Sequence, residues 1–400
     1  MLLTDGMSVA IDAFRLVTAP RTSHATYISD LVEALSKLDE IKKVYLLIPR
    51  RPGNDSNYNE LVKLDKIVGI WPAGACYPER TVRSQIYWVQ RVIPRLVKTI
   101  ADSVDCYIAP YHHPPIFLSK KIRVATVIHD VCGIKSSAGY YKTKKGFYLH
   151  LLMFALTAVR SDVIVPISNY TKRAFNTTFP FLRSRVSEVV YNCLKCETVD
   201  GALVEETLKK YGVLRKNYFL AFGVPGLRKG FDLVIRVYGT YKSRGGRCGL
   251  LLIVPAEYRG IVGREVIANG ISESVIMLSD VDFKERDALY RAAVALLFTS
   301  RCEGFGYPVV EAMRQGCPPI AWQDTPAAEI MGHDFPLLES LDLEEILKYM
   351  AQYEHLEADA RLALQERLII RSLVFEGKNF GHQFLDAIKG TELKICAGGA

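Results

Sequence analysis

The chain has 400 residues, half of them hydrophobic and a quarter charged, with 51 Lys and Arg against 43 Asp and Glu for a net charge of +8. This length allows two packed cores, and the balance is that of a globular protein, which excludes a disordered or low-complexity chain. The positive excess fits an anionic partner (a nucleotide, a phosphate-linked acceptor or an acidic lipid surface), while the lack of any base-reading motif excludes nucleic acid.

From the N-terminus, residues 8–13 read as a first strand, followed by a loop and a helix over 26–38. Strands follow at 43–48 and 67–71. The alternation predicts a doubly wound α/β sheet, whose ligands sit beyond the strand C-termini. Residues 82–101 carry apolar side chains at helical spacing with Arg83, Arg91, Arg95 and Lys98 between them. That pattern describes either a basic amphipathic helix on a membrane surface or an ordinary helix with a solvated face, bent at Pro94. Two more strands, 105–109 and 123–128, flank a loop with His112 and His113. Adjacent histidines point apart and make a poor metal pair.

His129 and Asp130 end the strand 123–128 and face the ligand side of the sheet. Between 120 and 145 stand seven Lys or Arg and one acid, Asp130. Tyr140-Tyr141-Lys142-Thr143-Lys144-Lys145 reads either as a loop meeting lipid headgroups or a pyrophosphate-linked acceptor, or as a solvated face. The longest apolar run, 147–159, contains His150 and is too short to span a membrane, so a buried helix is expected. Ser168 reads as a helix N-cap. The polar stretch 195–211 marks a joint, giving domains 1–205 and 206–374 and a closing segment 375–400. The nine scattered cysteines lack Cys-x-x-Cys spacing, so a reducing compartment without structural zinc is expected. No cleavable signal opens the chain, because Met1 to Val9 is short and contains Asp5.

The second domain opens on the strand 218–223 and the turn Val224-Pro225-Gly226-Leu227-Arg228-Lys229-Gly230. Strands follow at 249–255 and 275–278. The apolar run 292–298 then leads into Thr299-Ser300-Arg301-Cys302-Glu303-Gly304-Phe305-Gly306-Tyr307-Pro308-Val309-Val310-Glu311. Two glycines let the backbone approach a ligand. Pro308 fits the first turn of a helix, whose unpaired N–H groups suit phosphate. Glu303 and Glu311 frame the turn, and a carboxylate readily accepts from paired sugar hydroxyls.

Glu303 to Glu311, with Gly-Phe-Gly between them and Gly316-Cys317-Pro318 after, resembles the donor site of retaining glycosyltransferases of the GT-B fold, most closely glycosyltransferase family four. Ile11-Asp12-Ala13, Tyr27, His129-Asp130, Ser168 and Lys229-Gly230 extend the resemblance over roughly residues 8–390, toward the mannosyltransferase-like branch. It implies two facing Rossmann-like domains with a cleft between them, the first for the acceptor and the second for the nucleotide-sugar donor, and a last helix that crosses back to the first. It also implies transfer of a sugar to a hydroxyl of a glycan or lipid-linked glycan (EC 2.4), with retained configuration, no metal and no cofactor. GDP-mannose is the first donor to expect, with UDP- or dTDP-sugars as alternatives.

By the same resemblance Glu303 holds the sugar, Glu311 the ribose, and Gly223, Gly304, Phe305, Gly306 and Val309 line the donor. Lys229 and Arg228 neutralise the diphosphate, His129 assists catalysis, and His24 and Asp130 lie on the acceptor side. A cytoplasmic enzyme with peripheral contact to the inner membrane face would follow.

The chain departs from the family in three places: Thr22-Ser23-His24-Ala25-Thr26 replaces a glycine turn, Val224 an arginine, and Cys193 a glycine. A nucleotide-sugar-binding subunit without turnover and a sugar-nucleotide epimerase of the same architecture are therefore carried as alternatives. A glycosidase is disfavoured, since Glu303 and Glu311 hold ligand positions instead of flanking a scissile bond.

Overall fold

The computed structural model of the chain describes residues 6–20, 22–51, 53, 57–73, 82–111, 113–135, 144–195 and 197–390. His112, Tyr140 to Thr143 and the end of the chain from 391, all read above from sequence, lie outside these residues. The chain divides into two compact units, residues 1–135, 143–193 and 377–400, and residues 136–142 and 194–376.

The first unit is built on six parallel strands: β1 (Met7–Asp12), β2 (Ile41–Leu47), β3 (Ile67–Ile70), β4 (Cys106–Ala109), β5 (Arg123–Ile128) and β6 (Val163–Pro166), in the order β3-β2-β1-β4-β5-β6. Every residue of β1 is buried, as expected where helices cover both faces of a parallel sheet. Strand order reverses between β1 and β4, which pair through Ile11 and Ile108. That reversal is where doubly wound sheets open a crevice.

Local chemistry sets the helix ends. The helix Ser23–Ser36 begins three residues earlier than its apolar spacing predicts, because the Thr22 hydroxyl caps it by accepting from the Ala25 N–H at 3.4 Å. Ser168 caps the helix Asn169–Thr178 as expected, accepting from the Thr171 N–H at 3.0 Å.

Two helical segments bear on the expectations above. The segment after residue 82 is helical, with a π-helical turn over Trp88–Val92 just before Pro94. Its apolar stripe (Trp88, Val92, Ile93, Leu96, Val97) is committed to the core of the first unit while Arg91, Arg95 and Lys98 are exposed. Ile86 and Tyr87, one turn earlier, are exposed beside them. The run 147–159 does form a helix, Lys144–Arg160, but it is not buried all round: Tyr148, Leu152, Leu156 and Val159 are exposed. Among the described residues no helix is long and apolar enough to cross a membrane.

The helix Phe380–Lys389 packs on the first unit's own helix Ser23–Ser36, with the Phe380 and Tyr27 rings 5.9 Å apart and Gly381 against the Ala34 backbone. Cys106, Cys248 and Cys317 are buried free thiols, and Cys193 is buried as well. Burial pushes Cys106 and Cys317 up to about 12, which leaves them inert.

The second unit has five parallel strands: β7 (Tyr218–Phe222), β8 (Gly249–Ile253), β9 (Val275–Leu278), β10 (Leu296–Phe298) and β11 (Pro319–Ala321), in the order β11-β10-β7-β8-β9. Order reverses between β7 and β10, joined at Leu220 and Leu296. The turns that leave these two strands, after Gly223 and after Thr299, are therefore neighbours.

Candidate active site

The two turns are tied together before any ligand is considered. The Arg301 N–H donates to the Arg228 carbonyl at 2.8 Å, and the Thr299 hydroxyl donates to the Gly230 carbonyl at 2.9 Å. The Arg301 guanidinium grips both Asp232 oxygens at 3.0 Å, a bidentate pair that holds Asp232 below the ordinary carboxylate range. Gly230 has φ +67°, and a Cβ there would stand 2.0 Å from the Thr299 carbonyl oxygen. Only glycine allows this approach.

This clasp aims Lys229 and Arg228 at Glu303. The Lys229 ammonium lies 2.7 Å from one Glu303 oxygen and an Arg228 nitrogen 3.7 Å from the other. The same Arg228 nitrogen donates to the Cys302 carbonyl at 3.3 Å. Glu303 is 9% exposed, so this is a carboxylate held between two cations near the protein surface. Val224 is half-buried at the start of the same turn.

Gly306, at φ +101°, stands at the head of the helix Tyr307–Arg314, with Pro308 in its first turn. The helix presents Val309 and Glu311 on its buried side, and Phe305 is buried against Tyr307 and Phe375. Glu311 is held by two groups from the preceding helix, Phe283–Ala292. Arg286 donates to one oxygen at 2.8 Å and the Tyr290 hydroxyl to the other at 3.2 Å. Burial, with Glu311 nearby, raises the Tyr290 hydroxyl far above its ordinary range, so it acts as a donor. The Arg286 guanidinium also stacks 5.0 Å from the centre of the Phe283 ring.

Glu303, Gly304, Phe305, Gly306, Val309, Glu311, Gly223, Lys229 and Arg228 all belong to the second unit, around one pair of turns. Arg286, Tyr290 and the Arg301–Asp232 clasp escaped the sequence reading. The signal that could have found the first two was their i, i+4 spacing on the helix just before β10.

The first unit gathers His24, His129 and Asp130 at the C-terminal ends of its central strands. The His129 ring packs edge-on to His24 and to Tyr27, each at 4.8 Å, and its Nε2 lies 2.8 Å from the Pro110 carbonyl. A ring nitrogen facing a carbonyl carries the proton, so the tautomer is fixed by this bond. Tyr111 joins His24 at 5.3 Å and lies under the Arg15 guanidinium. The Asp130 side chain accepts from the Cys132 N–H at 3.0 Å, closing a turn.

Asp12, named above only as part of Ile11-Asp12-Ala13 and given no role, is the last residue of β1. It is buried and accepts from the Trp88 indole at 2.9 Å and the Phe14 N–H at 3.0 Å. Desolvation pushes it up from 3.8 to about 6, against those hydrogen bonds and Arg15.

Comparison with known proteins shows what the chain is similar to. The family described as glycosyl transferases group 1 matches residues 204–370. The chain is 23% identical over 285 residues to O-antigen chain mannosyltransferase B of Escherichia coli, covering 70% of this chain and 74% of that protein. Two solved structures share the fold at low identity. Sucrose-phosphate synthase of Thermosynechococcus elongatus has a TM-score of 0.72 at 13% identity, over 98% of this chain and all of that one. The Anabaena protein Alr3699/HepE, solved with UDP and glucose, has a TM-score of 0.69 at 14% identity, over 96% of this chain and all of that one. Residues 204–370, which make up most of the second unit, are thus similar to the glycosyl transferases group 1 family, on a chain whose two parallel α/β sheets are those of the GT-B fold.

Proposed function

We propose that the chain is a retaining, family-four hexosyltransferase that moves a sugar from a nucleotide donor to a hydroxyl of a glycan or lipid-linked glycan. Mannose from GDP-mannose is the first candidate, because the Escherichia coli relative is named an O-antigen chain mannosyltransferase. UDP- and dTDP-sugars follow. The observation that carries the reading is the pairing of Lys229 and Arg228 with Glu303 across two clasped turns, next to a helix start whose own carboxylate, Glu311, is oriented by Arg286 and Tyr290.

In this mechanism the donor diphosphate takes the Lys229 and Arg228 cations and the amides after Gly306. Negative charge builds on the leaving phosphate as the glycosidic bond breaks. Each fixed donor aimed at such charge typically stabilises the transition state by roughly 3–4 kcal/mol. The cations are thereby released from Glu303, whose oxygens turn to the sugar hydroxyls. Glu311 accepts from the ribose while keeping Arg286 and Tyr290, since two carboxylate oxygens offer about four acceptor directions. Arg228, beside Lys229, takes the place of the arginine that the family has at Val224. His129 lines the acceptor side with His24 and Asp130. The mechanism assigns no metal. The enzyme works in the cytoplasm, in peripheral contact with the membrane that carries its acceptor.

Thermal shift against GDP, UDP and dTDP and their sugars tests the donor, because a ligand of the folded form raises the melting point. Lys229→Ala is expected to weaken nucleoside-diphosphate binding by at least about tenfold, read by calorimetry, and Glu311→Gln to do so by a similar factor. Unchanged affinity in both variants would end the proposal. A donor-binding subunit without turnover is the second reading, favoured by Val224. It predicts binding with no transfer to any glycan acceptor.

A further inference from the structure

We propose that Arg286 and Tyr290 make the nucleotide site selective for ribose over deoxyribose, so that the donor is a ribonucleoside diphosphate sugar and deoxythymidine diphosphate sugars are refused. This rests on the donor reading above and narrows it. The Glu311 carboxylate is 8% exposed before any ligand covers it. Its two oxygens offer about four acceptor directions. The Arg286 guanidinium takes a direction on one oxygen at 2.8 Å, and the Tyr290 hydroxyl takes one on the other at 3.2 Å. A direction remains on each oxygen. The carboxylate therefore has room for a pair of hydroxyls, and a ribose ring carries such a pair on adjacent carbons.

Both donors are fixed by their own surroundings. They stand four residues apart on one face of the helix Phe283–Ala292. A capping box between Asp282 and Glu285 locks the start of that helix, with the Lys284 N–H donating to Asp282 at 2.9 Å. Glu285 also accepts from the Tyr211 hydroxyl at 2.7 Å, which ties the helix start to the neighbouring helix Gly201–Tyr211. The Phe283 ring, 5.0 Å from the Arg286 guanidinium, holds its plane, and Tyr290 is fully buried. A carboxylate gripped at both oxygens in this way does not turn to make good a missing partner.

A 2′-deoxyribose fills one of the two directions. The other becomes a charged acceptor that the ligand covers and leaves without a donor. Losing one hydrogen bond to a charged group in this way separates the two sugars by roughly ten- to a hundredfold. The base takes no part, so the same selectivity holds for guanine and for uracil. Arg286 and Tyr290 act through Glu311 and are positioning residues.

Calorimetric titration of the full chain with GDP against 2′-deoxy-GDP, and with UDP against 2′-deoxy-UDP, reads the selectivity. For whichever base binds, the ribonucleotide is expected to bind at least about tenfold tighter than its deoxy counterpart. In Tyr290→Phe and in Arg286→Gln that ratio should fall to within about threefold, through loss on the ribonucleotide side alone. A role in folding only would weaken both members of a pair equally and leave the ratio unchanged. Tyr290→Phe removes a single oxygen, so it carries the test where Arg286→Gln does not fold, and the wild-type ratio needs no variant. Equal affinity for both members in the wild-type chain, or the wild-type ratio kept in either folded variant, would overturn this inference and leave the donor reading in place. No binding by any of these nucleotides would overturn both.

Discussion

Asp12 shows how a single buried group couples fold and solvent. Its carboxyl keeps two hydrogen bonds, yet desolvation outweighs them and lifts it from 3.8 to about 6. The folded form therefore holds this proton up to about pH 6, while the unfolded chain releases it near 3.8. Between those values the folded form binds more protons, so stability falls as pH rises. Asn at this position keeps an oxygen for Trp88 and Phe14 and has nothing to ionise. Asp12→Asn is expected to stabilise the first unit by on the order of 1–3 kcal/mol at pH 8 and to have no effect near pH 4. Chemical denaturation at the two pH values measures it, and an equal shift at both would contradict the assigned cause. Nothing in Ile11-Asp12-Ala13 announced this, because burial brings together segments far apart in sequence, as the hydrogen bond from Trp88, 76 positions away, shows.

At the scale of elements, the donor turns depend on one contact between backbones. Gly230 heads the helix Phe231–Ser243 in the left-handed region and lies against the Thr299 carbonyl. A methyl group there meets a carbonyl that Arg301, Arg228 and Asp232 hold in place, and the left-handed conformation itself disfavours a side chain. Gly230→Ala is expected to destabilise the second unit by at least about 2 kcal/mol and to misplace Lys229. Thermal unfolding reads the first effect and nucleotide titration the second. A variant with wild-type melting and affinity would show that the clasp gives way easily. The Lys-Gly pair was legible in the sequence, but its cause lies at Thr299, just past β10, which the chain reaches only some seventy residues later.

For the whole molecule, the two units have separate cores, one around Trp88, Val97 and Tyr107 and one around Phe219, Val237 and Leu252. Heating is expected to unfold them in two steps. Saturating nucleoside diphosphate should raise only the second unit's step, by roughly 5 °C or more, since a hundredfold excess over Kd adds about 2.7 kcal/mol. Calorimetry with and without GDP or UDP measures this, and Asp12→Asn at pH 8 identifies the other step. A single step that nucleotide moves as a whole would show the units to be coupled.

The sequence by itself determined the alternating α/β pattern, the framed turn from Glu303 to Glu311 and the Ser168 cap, because each rests on residues within a turn or two of one another. The exposure of the Lys144–Arg160 helix, the capping of Glu311 by Arg286 and Tyr290 and the burial of Asp12 were decided only by tertiary structure. Periodicity shows that a helix has an apolar face but cannot say what covers it, and burial, which sets both charge state and partner, is a property of segments that meet only when the sheet has formed.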